Sequence, residues 1–202
     1  MTIKAILWDF SGVLLVPKKD LGHAYIAHML GLSTQTLIRY FDGEMNSQVD
    51  LGEITSEDFY RTLFKEQDLD QTTFSCFYDL YEQAFELNAP ILSMIRSLRK
   101  NFKIGLLSNY SDRLRPLLEE HFRIADLFDD IVISCEVQLL KPDARIYHTA
   151  LERLGIQPQE SIFVDDRIEN ITSARQVGIH AVHYQTSQQV ISEVIQLLVE
   201  NK

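Results

Sequence analysis

The feature that most constrains this chain is a rhythm of short apolar runs, each followed by a segment of helical period. Ile3 to Trp8 is the first run, and an acid, Asp9, ends it. Lys103–Ser108, Ile131–Ser134, Ser161–Asp165 and His180–Tyr184 repeat the pattern. Runs this short and this continuously apolar suit strands buried on both faces of a parallel sheet. Between them, residues 112–121, 143–154, 168–177 and 188–199 read as helices, two of them stopping at Gly155 and Gly178. Pro90 suits the first position of another helix, with Ile91, Ile95 and Leu98 on one face. Regular alternation of strand and helix predicts an α/β fold, a doubly wound parallel-sheet core.

One stretch breaks the rhythm. Residues 17–88 show helical spacing and no strand pattern, with short helices expected at 20–30 and 34–42 and a helix start at Thr55. Phe74, Phe77, Tyr78, Tyr81 and Phe85 follow the spacing of one helix face and are expected to pack rather than bind a ligand. Eleven of the chain's twenty aromatics lie here, enough for a small core of its own. Charge sets the stretch apart too. The whole chain carries −10, and residues 16–88 hold five Lys/Arg against thirteen Asp/Glu. The division expected is therefore an α/β core from residues 1–16 and 89–202, with an all-helical cap subdomain inserted at 17–88.

Composition narrows the functions. At 202 residues and 46% hydrophobic, the chain can bury a full core, and its apolar runs are far too short to span a membrane. The acidic balance and the lack of a basic stripe disfavour nucleic acid. Two cysteines, Cys76 and Cys135, cannot make a disulfide framework, and both read as inert. His121, His148, His180 and His183 lack the spacing of a zinc site. A cytoplasmic protein, monomer or homodimer, with no nucleic-acid or membrane partner is expected.

In open α/β sheets ligands bind beyond the carboxyl ends of the strands. There the sequence places Asp9 with Ser11-Gly12-Val13, then Ser108-Asn109, then Lys141-Pro142-Asp143, then Asp165-Asp166. An acid, a hydroxyl, an ammonium and an acid pair brought together make a site for a divalent cation and a phosphate. Each piece is weak alone; four in this order at four strand ends are not.

These motifs resemble those of the haloacid dehalogenase superfamily, a Rossmann-like group, in the branch with a helical cap inserted after the first motif. The likeness covers nearly the whole chain, includes the turn Gly52-Glu53-Ile54-Thr55, and is strongest to phosphatase-like members whose first motif reads Asp-Phe-Gly-Gly-Val. More distantly, the chain is similar to the N-terminal phosphatase domains of epoxide hydrolases. The resemblance implies a Mg²⁺-dependent phosphatase of a small phosphorylated substrate, with Asp9 as nucleophile forming an aspartyl-phosphate. It implies Mg²⁺ ligation by the Asp9 and Asp166 carboxylates and the Ser11 carbonyl, with Asp165 close by or as an alternate ligand. Ser108 and Lys141 would clamp the phosphoryl group, aided by Asn109 and by loop N–H groups around Ser11 and Gly12.

The chain departs from the family pattern at Ser11, where phosphatases usually carry a second Asp that moves protons. A serine hydroxyl cannot titrate in the working range, and general acid–base help is typically worth ~10²–10⁴-fold. Three readings stay open: a phosphatase with another proton source, a weak enzyme that binds a ligand or partner, or a hydrolase acting at carbon. Tyr147, six residues after Lys141, is shared with the dehalogenases but reads as a packing residue. Against carbon chemistry stand Asp165 and Asp166, which would repel a nucleophilic carboxylate without a cation. Lys18, Lys19, His23 and Arg39 are the cap's candidates for substrate binding, and Pro17 stands where a hinge or a stiff linker would be.

Overall fold

A computed structural model describes residues 2–18, 21–70 and 77–201, with side chains omitted for Tyr78, Asp79, Tyr81 and Glu82. Among the described residues, five strands form a parallel sheet: β1 (Ala5–Trp8), β4 (Lys103–Ser108), β5 (Asp130–Ile133), β6 (Ser161–Asp165) and β7 (His180–His183). Their order is β5-β4-β1-β6-β7. The order reverses at β1, so the switch point lies between β1 and β6, where Trp8 pairs with Val164. All five strands lie within a residue or two of the apolar runs that predicted them.

Strand side chains alternate between faces, and two apolar layers result. Ile6, Trp8, Ile104, Leu106, Ile162 and Val164 belong to one. Helices α6 (Ala89–Leu98) and α11 (Ser187–Glu200) cover that layer with Ile91, Ile95, Val190 and Val194. Ala5, Leu7, Leu107 and Phe163 belong to the other, beneath α9 (Ala144–Leu154) and α10 (Ile168–Val177). Helices on both faces satisfy a sheet whose central strands are apolar throughout. Asn88 caps α6 through its Oδ1, with Pro90 in the first turn, and α9 and α10 stop at Gly155 and Gly178 as expected. The segment read as one helix over 112–121 is instead a short α7 (Leu114–Pro116) running into a π-helical turn, Leu117–His121.

The interrupting stretch is largely helical, but not wholly. Helices α1 (Gly22–Met29), α2 (Thr34–Phe41), α3 (Glu44–Asp50), α4 (Ser56–Glu66) and α5 (Phe77–Ala84) are joined to the sheet by a two-stranded antiparallel ribbon, β2 (Leu15–Pro17) with β3 (Phe85–Leu87). Thr55 caps α4, accepting from the Asp58 N–H. The ribbon corrects the all-helical reading. Three-residue strands are too short to show a period, and Phe85, assigned to a helix face by spacing, lies in β3. Nor is the insertion's core separate. Ile26, Leu37, Leu63, Phe64 and Phe77 belong to the same apolar cluster as Trp8 and Phe10. Phe74, Cys76 and Lys19 lie outside the described residues, as do the side chains of Tyr78 and Tyr81. No described helix is long and apolar enough to cross a membrane.

Candidate active site

Parallel strands point their carboxyl ends the same way, so the residues following β1, β4 and β6 share one edge of the sheet. Asp9 continues the pairing of β1 by one residue, its N–H donating to Val164 O at 2.9 Å. The chain then turns sharply. Phe10 O accepts from the N–H groups of Val13, Leu14 and Leu15, and the Gly12 N–H donates to Leu15 O at 2.9 Å. That bond uses the Gly12 N–H that the sequence assigned to a phosphate. Gly12 sits at φ +78°, and a Cβ there would overlap the Asp166 carboxylate. Only glycine permits both the turn and this approach.

Lys141 is the centre of the site's charge. Its buried Nζ donates to Leu107 O at 3.0 Å and Asp165 Oδ2 at 2.7 Å, and lies 2.8 Å from Asp9 Oδ1. Three acceptors match the three protons of an ammonium. Asp165 is similarly saturated: Asn170 Nδ2 lies 3.0 Å from both its oxygens, and the Arg167 N–H donates to Oδ1 at 2.8 Å. The Phe10 N–H donates to Asp9 Oδ1 at 2.7 Å. Asp9, Asp165 and Asp166 each offer an oxygen within 4.8 Å of the others. Burial pushes Asp9 up to about 7, opposed by Lys141 and reinforced by the Asp165 charge. Burial and then Asp165 raise Asp166 as well. Burial works against the Lys141 ammonium, but Asp9 and Asp165 outweigh it and hold the pKa above the ordinary value. More negative charge is gathered here than one lysine balances, which is the donor set of a hard-cation site.

Ser108, fully buried at the end of β4, has a hydroxyl with no hydrogen-bond partner among the described residues. Buried hydroxyls are seldom left so, and a bound oxyanion would satisfy it. Above these residues opens a cavity of about 400 Å³. Asp9, Ser11, Asn109, Lys141 and Asp166 line its floor. Phe41, Phe59, Tyr60 and Phe85 supply an aromatic wall from the insertion, with Asp42 and Asp50 set among them.

A family model of haloacid dehalogenase-like hydrolases matches residues 3–178. The chain belongs to that family. It is 27% identical to a sesquiterpene phosphatase, astK, of Aspergillus oryzae, over 98% of this chain and 97% of that one. Two further relatives are much longer proteins, of which it spans 31% and 19%. Its fold superposes on a HAD-like family hydrolase from Porphyromonas gingivalis with TM-score 0.82 at 22% identity, covering 98% of both chains. A HAD family enzyme from Bacteroides thetaiotaomicron, in complex with magnesium and inorganic phosphate, superposes with TM-score 0.76 at 22% identity over 91% and 94% of the two chains.

In this HAD-like hydrolase the fold brings Asp9, Ser11, Gly12, Ser108, Asn109, Lys141, Asp165 and Asp166 to one edge of the sheet, and of the insertion's candidates among the described residues His23 alone lines the cavity. Its ring packs at 5.0 Å from Phe41 and 5.4 Å from Phe85, and burial lowers its pKa, so it is a neutral part of the aromatic wall. Lys18 and Arg39 are exposed and do not line the cavity; Lys19 lies outside the described residues. Besides Lys141, the cations that line the cavity among the described residues are Arg113 and Arg167, which belong to the core and not to the acidic insertion. Tyr147 packs edge-on against Phe163 and donates to Asn170 O at 3.0 Å, as a packing residue does. Burial pushes the Cys135 thiol up to about 11, so it is not a ready nucleophile. The sequence missed Asn170, although its place five residues after Asp165, in the first turn of α10, was a usable signal.

Proposed function

We propose that this HAD-like hydrolase is a Mg²⁺-dependent phosphatase that acts through an aspartyl-phosphate at Asp9. The observation that carries the reading is the grouping of three carboxylates within 4.8 Å around Lys141. Without a cation such crowding is costly, and chemistry at carbon would not require it. Asp9, Asp166 and the Ser11 main-chain carbonyl would hold Mg²⁺, with Asp165 beside them, its two oxygens already engaged by Lys141, Asn170 and the Arg167 N–H. When bound, the ion neutralises charge so that a carboxylate can approach a phosphate dianion.

Asp9 Oδ1 takes the Phe10 N–H and the Lys141 ammonium, which leaves Oδ2 for attack on phosphorus. The Ser108 hydroxyl donates to a phosphoryl oxygen, and Lys141 balances the charge beside it. Asn109 fixes the main chain of Lys141 rather than binding substrate, because both ends of its amide are already engaged there. Helices α1–α5 act as a cap that selects the organic group. Its aromatic wall and its acids, Asp42 and Asp50, suit a small phosphomonoester with an apolar body and no second anion. The similarity to a sesquiterpene phosphatase is consistent with such a body.

The test is phosphate release from aryl and prenyl monophosphates with and without Mg²⁺, alongside trapping of beryllium fluoride or phosphate on Asp9. Asp9→Asn should reduce turnover by at least ~10³-fold. Full activity in that variant would remove Asp9 as nucleophile.

A further inference from the structure

The reaction needs a proton for the departing alcohol, and Ser11 cannot give one. Apart from the three clustered carboxylates, the acids lining the cavity among the described residues are Asp42 and Asp50. Asp42 is exposed, whereas Asp50 is half-buried at the last position of α3. We propose that Asp50 is the catalytic acid and base of this hydrolase, doing from the insertion what the first motif cannot do; the assignment rests on the phosphatase reading above.

The placement of Asp50 is built from the core side. Ser134, which follows β5, donates from Oγ to the Asp50 carbonyl at 2.6 Å and accepts the Tyr110 N–H at 2.9 Å. One bridge thus ties the end of α3 to the chain leaving β4. Two residues on, Gly52 lies at φ +74° against Cys135 O, and a Cβ there would come within 2.5 Å of that oxygen. This close seat holds the end of α3 down on the core. Asp50 therefore sits where the insertion is anchored to the strands, not on a free tip. Its Oδ2 accepts from Asn46 Nδ2 one turn earlier, at 3.1 Å. The groups that face it are Asn46 on its own helix, Lys141 and Arg167 from the core, and the Cys135 thiol from the short helix α8 (Ser134–Val137) that follows β5. Burial dominates these and pushes the Asp50 carboxyl up to about 7. A group that exchanges its proton near neutrality can serve both halves of the reaction.

The steps balance. Asp9 Oδ2 forms a bond to phosphorus as the ester P–O bond breaks, and the leaving oxygen takes its electron pair and the Asp50 proton. The Asp50 carboxylate then accepts a proton from water as the water oxygen attacks phosphorus. The Asp9–phosphorus bond breaks, releasing inorganic phosphate and restoring Asp9 as carboxylate and Asp50 as acid.

Leaving-group dependence distinguishes this role from a merely structural one. Single-turnover rates are measured with Mg²⁺ for wild type, Asp50→Asn and Asp50→Glu, on phosphomonoesters from dinitrophenyl to alkyl. Asp50→Asn should slow phosphorylation by alkyl esters ~10²–10⁴-fold and by the dinitrophenyl ester less than about tenfold, since dinitrophenolate leaves without a proton. Phosphoenzyme at Asp9 should then accumulate, because the base for the second step is missing. Asp50→Glu should keep the wild-type leaving-group dependence, and Ser11→Asp added to Asp50→Asn should restore alkyl turnover. A uniform loss across all leaving groups in Asp50→Asn, or wild-type alkyl turnover, overturns the assignment. Activity surviving in Asp9→Asn would overturn the nucleophile instead, whatever the Asp50 series shows.

Discussion

The side-chain amide of Asn109 holds the main chain of Lys141 at both ends, its Oδ1 accepting the Lys141 N–H at 2.8 Å and its Nδ2 donating to the Lys141 carbonyl at 2.9 Å. This pair sets where the ammonium emerges, 2.8 Å from Asp9 Oδ1. Asn109→Ala should leave both main-chain groups unsatisfied and cost about 1–3 kcal/mol in urea unfolding. Catalysis should suffer more than binding, with kcat falling on the order of 10²-fold and KM nearly unchanged, because ångström displacements of a positioned charge carry such penalties. An unaltered kcat would show that Lys141 holds its place without this clamp.

Gly12 is required twice, by its positive φ and by the Asp166 carboxylate lying where a Cβ would be. Gly12→Ala should therefore strain the turn by about 1–3 kcal/mol and push Asp166 away from Asp9. Mg²⁺ affinity should drop roughly 10–100-fold, as when the support of a ligand is lost. Calorimetric titration of Mg²⁺ into the variant checks this without relying on turnover; wild-type affinity would mean that Asp166 is not a ligand.

Asp50 also makes stability depend on pH. Its carboxyl titrates near 3.8 when unfolded and at about 7 when folded, so the folded protein binds the extra proton between these values. The associated stabilisation is complete below about pH 4 and is lost as pH rises through 7. For a half-buried group, screened by water, the amount is of order 1–3 kcal/mol. Denaturation in metal-free buffer from pH 4 to 8 should show wild type losing more stability than Asp50→Asn, by that margin. Parallel curves would place the Asp50 carboxyl in ordinary solvent.

Much of this was legible in the chain, and the reason is local. A strand buried on both faces must be apolar along its length, so Ser161–Asp165 and Lys103–Ser108 declare themselves from composition alone. Parallel strands share a carboxyl edge, so locating the strands also located Asp9, Ser108 and Asp165 together. The ribbon of β2 and β3 escaped detection because three residues carry no period, and pairing across residues 15 and 87 has no local trace. The insertion's cations misled for a different reason: exposed positions such as Arg39 look no different in sequence from cavity positions such as His23.

What the sequence by itself determined is the α/β rhythm and the chemistry at the strand ends, since both follow from short-range periodicity and one topological rule. Only the tertiary structure decided how those groups divide the work. Asp165 holds Lys141 instead of standing open, Asn109 grips a peptide 32 residues away, and the Ser108 hydroxyl has no partner among the described residues. It also decided that Asp50 joins the site, because a bond from Ser134 spans 84 residues. Such contacts arise from packing between distant segments, and no local pattern encodes which carboxylate ends up buried beside which cation.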